Sequence, residues 1–328
     1  MTGVIAGTGS YVPDFILENR KLEQMVDTSD AWITERTGIK RRHIATCEST
    51  TFMATQAAKK ALENAKVSPE ELNLILVSTI SGDNVMPGIA CGVQKEIGAV
   101  NAFCFDLSAA CSGFLMAYNT ANAYMSAGWC KTVLVIGSES LSNLTNWEDR
   151  GTCILFGDGA GAVVVKRKEG QGFIPRTHSD GSQGQALSLQ SLYAQNPFMK
   201  ARQNHKVQSS NYYMEMKGQQ VFKFAVRKVP QVIEEVLEEN HLQKKDIDLY
   251  LLHQANERIV EAVAKRLEEP LEKFPMNMRE YGNTSSASIP LLLDELNRRE
   301  KLKVGMNLLL AGFGGGLSWG ATIVTWRS

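Results

Sequence analysis

Phe103 to Phe114 reads FCFDLSAACSGF. Phe103, Phe105 and Leu107 alternate as on a strand, small residues follow, and Cys111 precedes Ser112, Gly113 and the start of a helical pattern. A thiol on such a strand-to-helix turn faces unpaired N–H groups and the positive end of the helix dipole, both of which favour thiolate over thiol. An ordinary cysteine, with a pKa of about 8.5, is only a few per cent ionised at neutral pH, so this placement bears on reactivity. The plain alternative is a packed small hydrophobe. The rest of the chain decides between them.

The 328 residues are 44% hydrophobic and 21% charged, the pattern of a globular protein with one large or two medium lobes. Thirty-five basic and 35 acidic side chains cancel, so any polyanion-binding surface is a local patch and nucleic acid is not expected as a partner. The cysteines at 47, 91, 104, 111, 130 and 153 form no CxxC pair and no metal-ligand spacing with the five histidines. A reducing, cytoplasmic compartment without a bound metal is the expectation. Met1 to Asp14 has no basic segment followed by an apolar core, and no apolar run is long enough to span a bilayer.

Thr2 to Ala6 reads as a strand ending in Gly7-Thr8-Gly9, which lacks the third glycine of a dinucleotide fingerprint. Short helices are expected over Asn19 to Val26 and Ser29 to Thr34, the latter capped by Ser29. Arg36, Lys40, Arg41 and Arg42 then crowd around one glycine, as a solvated loop or a phosphate contact. Phe52 to Ala65 is an alanine-rich helix, and Leu72 to Thr79 and Thr132 to Gly137 are buried strands. Gly157 to Gly161 turns into a strand over Ala162 to Val165 and lacks the Lys-Ser/Thr of a phosphate loop.

Residues 179–213 are dense in Ser, Gln, Asn and Gly and read as a long irregular excursion. Beyond it the order repeats: helix Gly218 to Asn240, strand Asp248 to Leu252, helix Ala255 to Leu267, a helix ending near Arg299, strand Asn307 to Ala311 and a final strand through Trp326. Alternation in both parts predicts α/β layers, with an N-terminal half over 1–170 and a C-terminal half over 171–328.

Three C-terminal features stand beside Cys111. His253 follows the strand DLYLL directly, at the strand end where sites form in α/β folds, although a lone histidine is more often simply packed. Asn283 lies in YGNTS, where a turn role is equally natural. Phe313 to Gly316, FGGG, is richer in glycine than a turn requires and lets backbone N–H groups approach a substrate oxygen.

Taken together, TSDAWITERTGIKRRHI, DLSAACSGF, WEDRGTCILFGDGAGA, HQAN, YGNTSSAS and AGFGGGLSWG resemble β-ketoacyl-acyl-carrier-protein synthase III, in order and over nearly the whole chain. The resemblance implies an α/β thiolase-like fold of two similar halves in five layers (α-β-α-β-α), each half with a five-stranded sheet, and usually a homodimer. It implies decarboxylative condensation of a short acyl-CoA, acetyl-CoA by default, with malonyl-acyl carrier protein to start type II fatty-acid synthesis. Cys111 would carry the acyl group, and the N–H groups of Cys111 and Gly314 would hold the oxyanion. His253 and Asn283 would stabilise the enolate. Because decarboxylation supplies the carbanion, neither a carboxylate base nor a cofactor is required.

By the same resemblance, Trp32 and Arg150 would sandwich the CoA adenine. Thr28, Arg36, Gly151, Gly218, Phe222, Ala255 and Asn256 would line the channel for the rest of the coenzyme. Lys223, Arg258, Lys265 and Arg266 would meet the acidic carrier protein, or else be solvated charges. Leu141, Leu155, Met216 and Phe313 would line the acyl pocket, with Met86 supplied by the partner subunit. Met86 stands where many family members carry an aromatic, giving a more adaptable wall open to branched or longer primers. The 182–213 stretch is longer than usual for the family and would reshape or lid the entrance.

A two-cysteine thiolase is excluded, since no cysteine follows Cys153. A hydroxymethylglutaryl-CoA-synthase-like reaction would need a carboxylate base near the thiol, for which the sequence offers Asp83, read as a loop residue. A ketosynthase of polyketide or other secondary metabolism would share the triad and differ in donor or acceptor. A non-catalytic acyl-binding protein would have no need to keep it.

Overall fold

A computed structural model describes residues 2–170, 172–190 and 213–327. The N-terminal sheet is built from β1 (Thr2–Tyr11), β4 (Leu74–Ser78), β5 (Phe103–Leu107), β6 (Thr132–Glu139) and β7 (Gly159–Lys168), in the order β1-β7-β6-β4-β5. Strands β5, β4 and β6 run parallel, with Leu74 opposite both Phe103 and Val133, while β7 and β1 are antiparallel to their neighbours. A two-stranded ribbon pairs β2 (Ile16–Glu18) with β3 (Arg41–His43).

The second sheet contains β8 (Arg176–Ser179), β11 (Leu249–Leu252), β12 (Asn307–Gly314) and β13 (Ser318–Thr325), in the order β11-β12-β13-β8. It has four strands among the described residues, where five were expected. The excursion is also more ordered at its start than its composition suggests. Arg176–Ser179, just ahead of it, pairs with β13, and within it Gly181–Ala186 is a 3-10 turn and β9 (Leu187–Ser188) pairs with β10 (Glu215–Met216) beyond its end. The backbone pairing of β8 supplies what its polar side chains do not advertise. Residues 191–212, on which the expectation of a lid also rested, lie outside the described residues.

Nine helices among the described residues complete the layers: α1 (Asn19–Leu22), α2 (Asp30–Thr37), α3 (Thr50–Ala65), α4 (Ile89–Ile97), α5 (Gly113–Ser126), α6 (Gly218–Glu239), α7 (Glu257–Leu267), α8 (Met278–Tyr281) and α9 (Ser288–Arg298). Side chains alternate across each strand. Ile75, Val77, Leu134, Ile136 and Val164 face α3 and α4 on one outer side. Leu74, Leu76, Val133, Val135, Val163 and Val165 face inward onto α5 and α9, whose other side meets Leu251, Leu308, Leu310 and Val324 of the second sheet. Tyr250, Leu252, Leu309, Ala311 and Ile323 face α6 and α7 on the far outer side. Helix, sheet, helix pair, sheet and helix follow one another in five layers.

Gly7 and Gly9 serve this packing. A Cβ on Gly9 would lie 2.3 Å from Ala57 O and Ala61 N, so α3 can rest on β1 only because the strand has no side chain there. The alanines of α3 are the other half of the same contact. The basic run after α2 is divided between roles rather than gathered in one patch. Arg42 is buried and donates to Leu17 O, Asn19 Oδ1 and Ile154 O, while Arg41 pairs with Glu280 at 2.6 Å. No helix among the described residues is long and apolar enough to cross a membrane.

Candidate active site

Strand β5 ends at Leu107, and the chain enters α5 through a 3-10 turn, Ala110–Ser112, with Ala110 at φ +46°. Ser112 Oγ donates to Ala109 O and lies 2.8 Å from Ser318 Oγ, fastening the turn to β13. Gly113 is dictated by space, because a Cβ there would sit 1.8 Å from Ser78 Oγ. The turn presents Cys111 to a cavity of 920 Å³ that runs between the two halves.

The resting thiol differs from the sequence expectation. Its pKa is pushed up to about 12, chiefly by burial and in smaller part by the Glu139 carboxyl, against the opposing influence of the Ser285 hydroxyl and the Cys111 backbone. The short 3-10 turn at the helix end does not offset the loss of water around the sulfur. Sequence reveals the turn but not its depth.

His253 continues β11 by one residue, its N–H bonded to Ala311 O at 2.8 Å. Gln254 locks the following loop, donating to Leu252 O and accepting from the Asn277 N–H. The imidazole packs edge-to-face on Phe313, with centroids 5.2 Å apart, and burial drives its pKa down to about 3, so the ring is neutral. Its Nδ1 lies 2.7 Å from Ser288 Oγ. A hydroxyl donating to Nδ1 leaves the ring proton on Nε2, while the serine oxygen also accepts the Gln254 N–H at 3.4 Å.

Asn283 follows Gly282, whose φ of +66° and ψ of −159° turn the chain between α8 and α9. Its backbone spans Leu155 O and the Gly157 N–H, at 2.8 and 3.0 Å. Its side-chain Oδ1 accepts from the Ser285 N–H at 2.8 Å, and only an oxygen can accept there, so the amide nitrogen is the atom left for the cavity. Nδ2 of Asn283 is thus left as a donor by a partner on the far side of its side chain, and Nε2 of His253 is one in the tautomer whose Nδ1 accepts from Ser288.

Gly314 closes the fourth side. A Cβ on it would lie 2.7 Å from Cys111 N and 3.1 Å from Cys111 Cβ, so the last residue of β12 lies directly against the thiol-bearing turn.

Cys111, His253, Asn283 and Gly314 share the cavity with Arg36, Gly151, Gly218, Phe222, Ala255 and Asn256 from the expected coenzyme channel. Leu141, Leu155, Met216 and Phe313 of the expected acyl pocket line it too, as do Lys223 and Arg258. Thr28, Trp32 and Arg150 do not line it. Arg150 lies on Trp32 itself, its guanidinium carbon 5.0 Å from the ring centroid and its Nη1 bonded to Asp27 O, with no room for a base between them. Met86 is 84% exposed and lies outside this cavity, as do Lys265 and Arg266. Asp83 is occupied by the Thr50 and Thr51 N–H groups at the start of α3 and does not line this cavity.

Three residues that complete the site escape a reading of the sequence. Ser288 looks like any first residue of a helix. Ser285 has φ +49° and a buried hydroxyl, neither visible from its residue type. Glu139 offers one signal, an acid closing an otherwise uncharged strand. Among the described residues no group of three or more His, Cys, Asp or Glu is placed to hold a metal ion.

Comparison with known proteins agrees with this geometry. Residues 105–181 match the family 3-oxoacyl-[acyl-carrier-protein] synthase III, and residues 237–326 match its C-terminal domain. The chain is 46% identical over 323 residues to the beta-ketoacyl-[acyl-carrier-protein] synthase III of Clostridium acetobutylicum, covering 98% of each protein. The crystal structure of 3-oxoacyl-[acyl-carrier-protein] synthase III from Aquifex aeolicus superposes with a TM-score of 0.91 at 45% identity, covering 99% of this chain and 100% of that one. The priming beta-ketosynthase of the R1128 polyketide pathway superposes at 0.92 with 34% identity, covering 100% and 97%.

Proposed function

The chain belongs to the 3-oxoacyl-[acyl-carrier-protein] synthase III family of condensing acyltransferases, with its thiolase fold, and on that premise we propose that it joins a short acyl-CoA primer to malonyl-acyl carrier protein through an acyl-Cys111 intermediate. The observation that carries this reading is the His253 imidazole and the Asn283 amide held in one cavity with a thiol.

In the first half-reaction the Cys111 sulfur displaces the CoA thiolate. Thiolate for thiolate is a nearly even exchange, and the oxyanion between forms beside the N–H groups of Cys111 and Gly314. In the second, malonyl loses carbon dioxide and negative charge grows on the thioester oxygen. A neutral imidazole and an amide meet that charge as hydrogen-bond donors, which needs no proton transfer from either. The resulting carbanion attacks the acyl-Cys111 carbonyl and expels the sulfur. Acyl-CoA and malonyl-carrier protein are both substrates, and no cofactor enters the scheme.

Arg36, Gly151, Gly218, Phe222, Ala255 and Asn256 line the path proposed for the coenzyme. Thr28 belongs to that path in the same reading, and Trp32 and Arg150 grip the adenine once they part. Leu141, Leu155, Met216 and Phe313 form an apolar end suited to acetyl, with Met86 reaching it from a second subunit. Lys223, Arg258, Lys265 and Arg266 form the local basic patch that the acidic carrier protein would meet. The subunit boundary would follow the β5 edge, where Val100, Phe103 and Trp129 are exposed together with Val85 and Met86. The halves meet near residue 170 on this view, and the enzyme works in the cytoplasm.

Similarity to the R1128 priming ketosynthase favours a second reading, condensation in polyketide metabolism with a different donor or acceptor. Product formation from acetyl-, isobutyryl- and hexanoyl-CoA with malonyl-carrier protein separates the two. Fatty-acid initiation predicts the fastest turnover with the shortest primer. Turnover with the longer primer alone supports the second reading, and none with any primer refutes both.

A further inference from the structure

Helix α4 and strand β5 are fastened to each other at both ends. At the start of α4 the Asp106 carboxylate of β5 accepts the N–H groups of Ile89 and Ala90, at 2.7 and 2.8 Å. At the other end Gln94 Nε2 donates to Ala102 O at 2.7 Å, and Gly98, at φ +76°, turns the chain back toward the strand. Between these ties Cys91 of α4 and Cys104 of β5 face each other, their sulfurs 3.3 Å apart. Both are free thiols, Cys91 exposed and Cys104 half-buried.

Alternation along β5 produces this meeting. Cys104 and Asp106 turn toward α4, whereas Phe103 and Phe105 stack on each other and tilt against Tyr124 on the opposite face. Neither Cys91 nor Cys104 lines the cavity that holds Cys111. Among the described residues no group of three or more His, Cys, Asp or Glu is placed to hold a metal ion, so the two thiols are not part of a ligand set there. A solvent-exposed thiol beside a second one is the arrangement of a sulfur that is oxidised and a sulfur that resolves it.

We propose that Cys91 and Cys104 form a peroxide-responsive pair that closes to an intrachain disulfide, a redox site separate from Cys111. The pair goes beyond the condensation chemistry and does not depend on the role given to Cys111.

Exposure assigns the order of events. The Cys91 thiolate attacks one oxygen of hydrogen peroxide, the O–O bond breaks, hydroxide leaves, and Cys91 becomes a sulfenic acid. The Cys104 sulfur then attacks the Cys91 sulfur, the S–O bond breaks, and the departing hydroxide leaves as water with the Cys104 proton. The first hydroxide and the proton shed by Cys91 make a second water. Two thiols and one peroxide thus give one disulfide and two waters, and the two electrons lost by sulfur are gained by the peroxide oxygens.

The fold makes the second step short. The sulfurs close from 3.3 Å to a bond of about 2.05 Å while the ties at both ends keep helix and strand in place. Burial, with Cys91 and Asp106 adding to it, pushes the Cys104 thiol up to about 12, so it holds its proton until an adjacent sulfenic acid offers it a partner. The bridge in turn caps Cys91 before it climbs to the irreversible sulfinic acid.

The full-length protein is treated with hydrogen peroxide, remaining thiols are blocked with iodoacetamide, and tryptic peptides are mapped without reduction. Lys95 lies between the two cysteines, so cleavage should leave the peptide carrying Cys91 joined to the one carrying Cys104. Fragmentation should place the bond at Cys104 and not at Cys111 or Cys130, which share that peptide, and dithiothreitol should release it. In Cys104→Ala the joined peptides should vanish and Cys91 should be recovered as sulfinic acid, while Cys111→Ala should form the bridge at the wild-type rate.

The wild-type protein decides the matter without any variant. The pair is overturned by Cys91 carried to sulfinic acid with no joined peptide, or by Cys91 left unmodified at a peroxide dose that oxidises the exposed Cys47. A bond from Cys91 to another cysteine, or a doubled mass on a non-reducing gel from a Cys91–Cys91 link, also overturns it. No acyl-CoA enters the measurement, so failure of the proposed function is read separately.

Discussion

His253 Nδ1 and Ser288 Oγ stand 2.7 Å apart, a contact between the end of β11 and the start of α9 that places the ring proton on Nε2 when the hydroxyl donates. With Nδ1 accepting from the serine, Nε2 is a donor toward the cavity. Ser288→Ala removes that constraint and lets the ring adopt the other tautomer. Decarboxylation of malonyl-carrier protein should fall about 10- to 100-fold, with acylation by acyl-CoA affected far less. Equal losses in both half-reactions would show that Ser288 supports the site generally and does not set the tautomer.

The neutral state of His253 has its own consequence for pH. Its folded pKa of about 3 lies below the ordinary value of about 6.5. The decarboxylation rate should therefore show no limb near pH 6.5, and a half-maximal point there would contradict a purely hydrogen-bonding role. Stability carries the matching sign. The unfolded chain binds a proton on this histidine as pH falls below about 6.5 and the folded chain does not, so stability is lost on acidification by up to about 1.4 kcal/mol per pH unit until about pH 3. Urea unfolding of wild type and His253→Asn at about pH 7 and about pH 5 checks it, the variant losing less between the two.

Gly314→Ala tests the other side of the site. The new Cβ would meet Cys111 N at 2.7 Å, whereas at Gly315 the nearest atom is Leu187 O at 3.4 Å. Acylation should drop by about 10²- to 10³-fold at Gly314, the scale of losing an oxyanion donor, and by much less in Gly315→Ala. Similar losses at both positions would mean that the glycines serve loop flexibility alone. The measurement is single-turnover release of CoA.

Much of this arrangement is legible in the chain because the signals are local. The apolar run ahead of Cys111, the strand end before His253 and the density of glycine after Phe313 each report a backbone that approaches closely. What is not legible depends on depth and on partners far along the chain. Cys111 looks activated on its turn, but burial outweighs the helix end. Ser288 acquires its role only when α9 folds against β11. Arg42 belongs to a basic cluster in sequence and to a set of buried carbonyls in space. Trp32 and Arg150 reach each other across the fold and close on themselves. Polar Arg176–Ser179 becomes a strand because β13 offers it an edge, which composition cannot reveal.

Incubation with acetyl-CoA alone, followed by peptide mass mapping, tests the central claim most directly. One acetyl group should be found on the peptide containing Cys111. It should be absent in Cys111→Ala, and malonyl-carrier protein should discharge it from the wild type but much more slowly from Asn283→Asp, whose carboxylate cannot donate to the enolate. Unmodified Cys111 with every acyl-CoA tried, or label on another cysteine that persists in Cys111→Ala, would contradict the account.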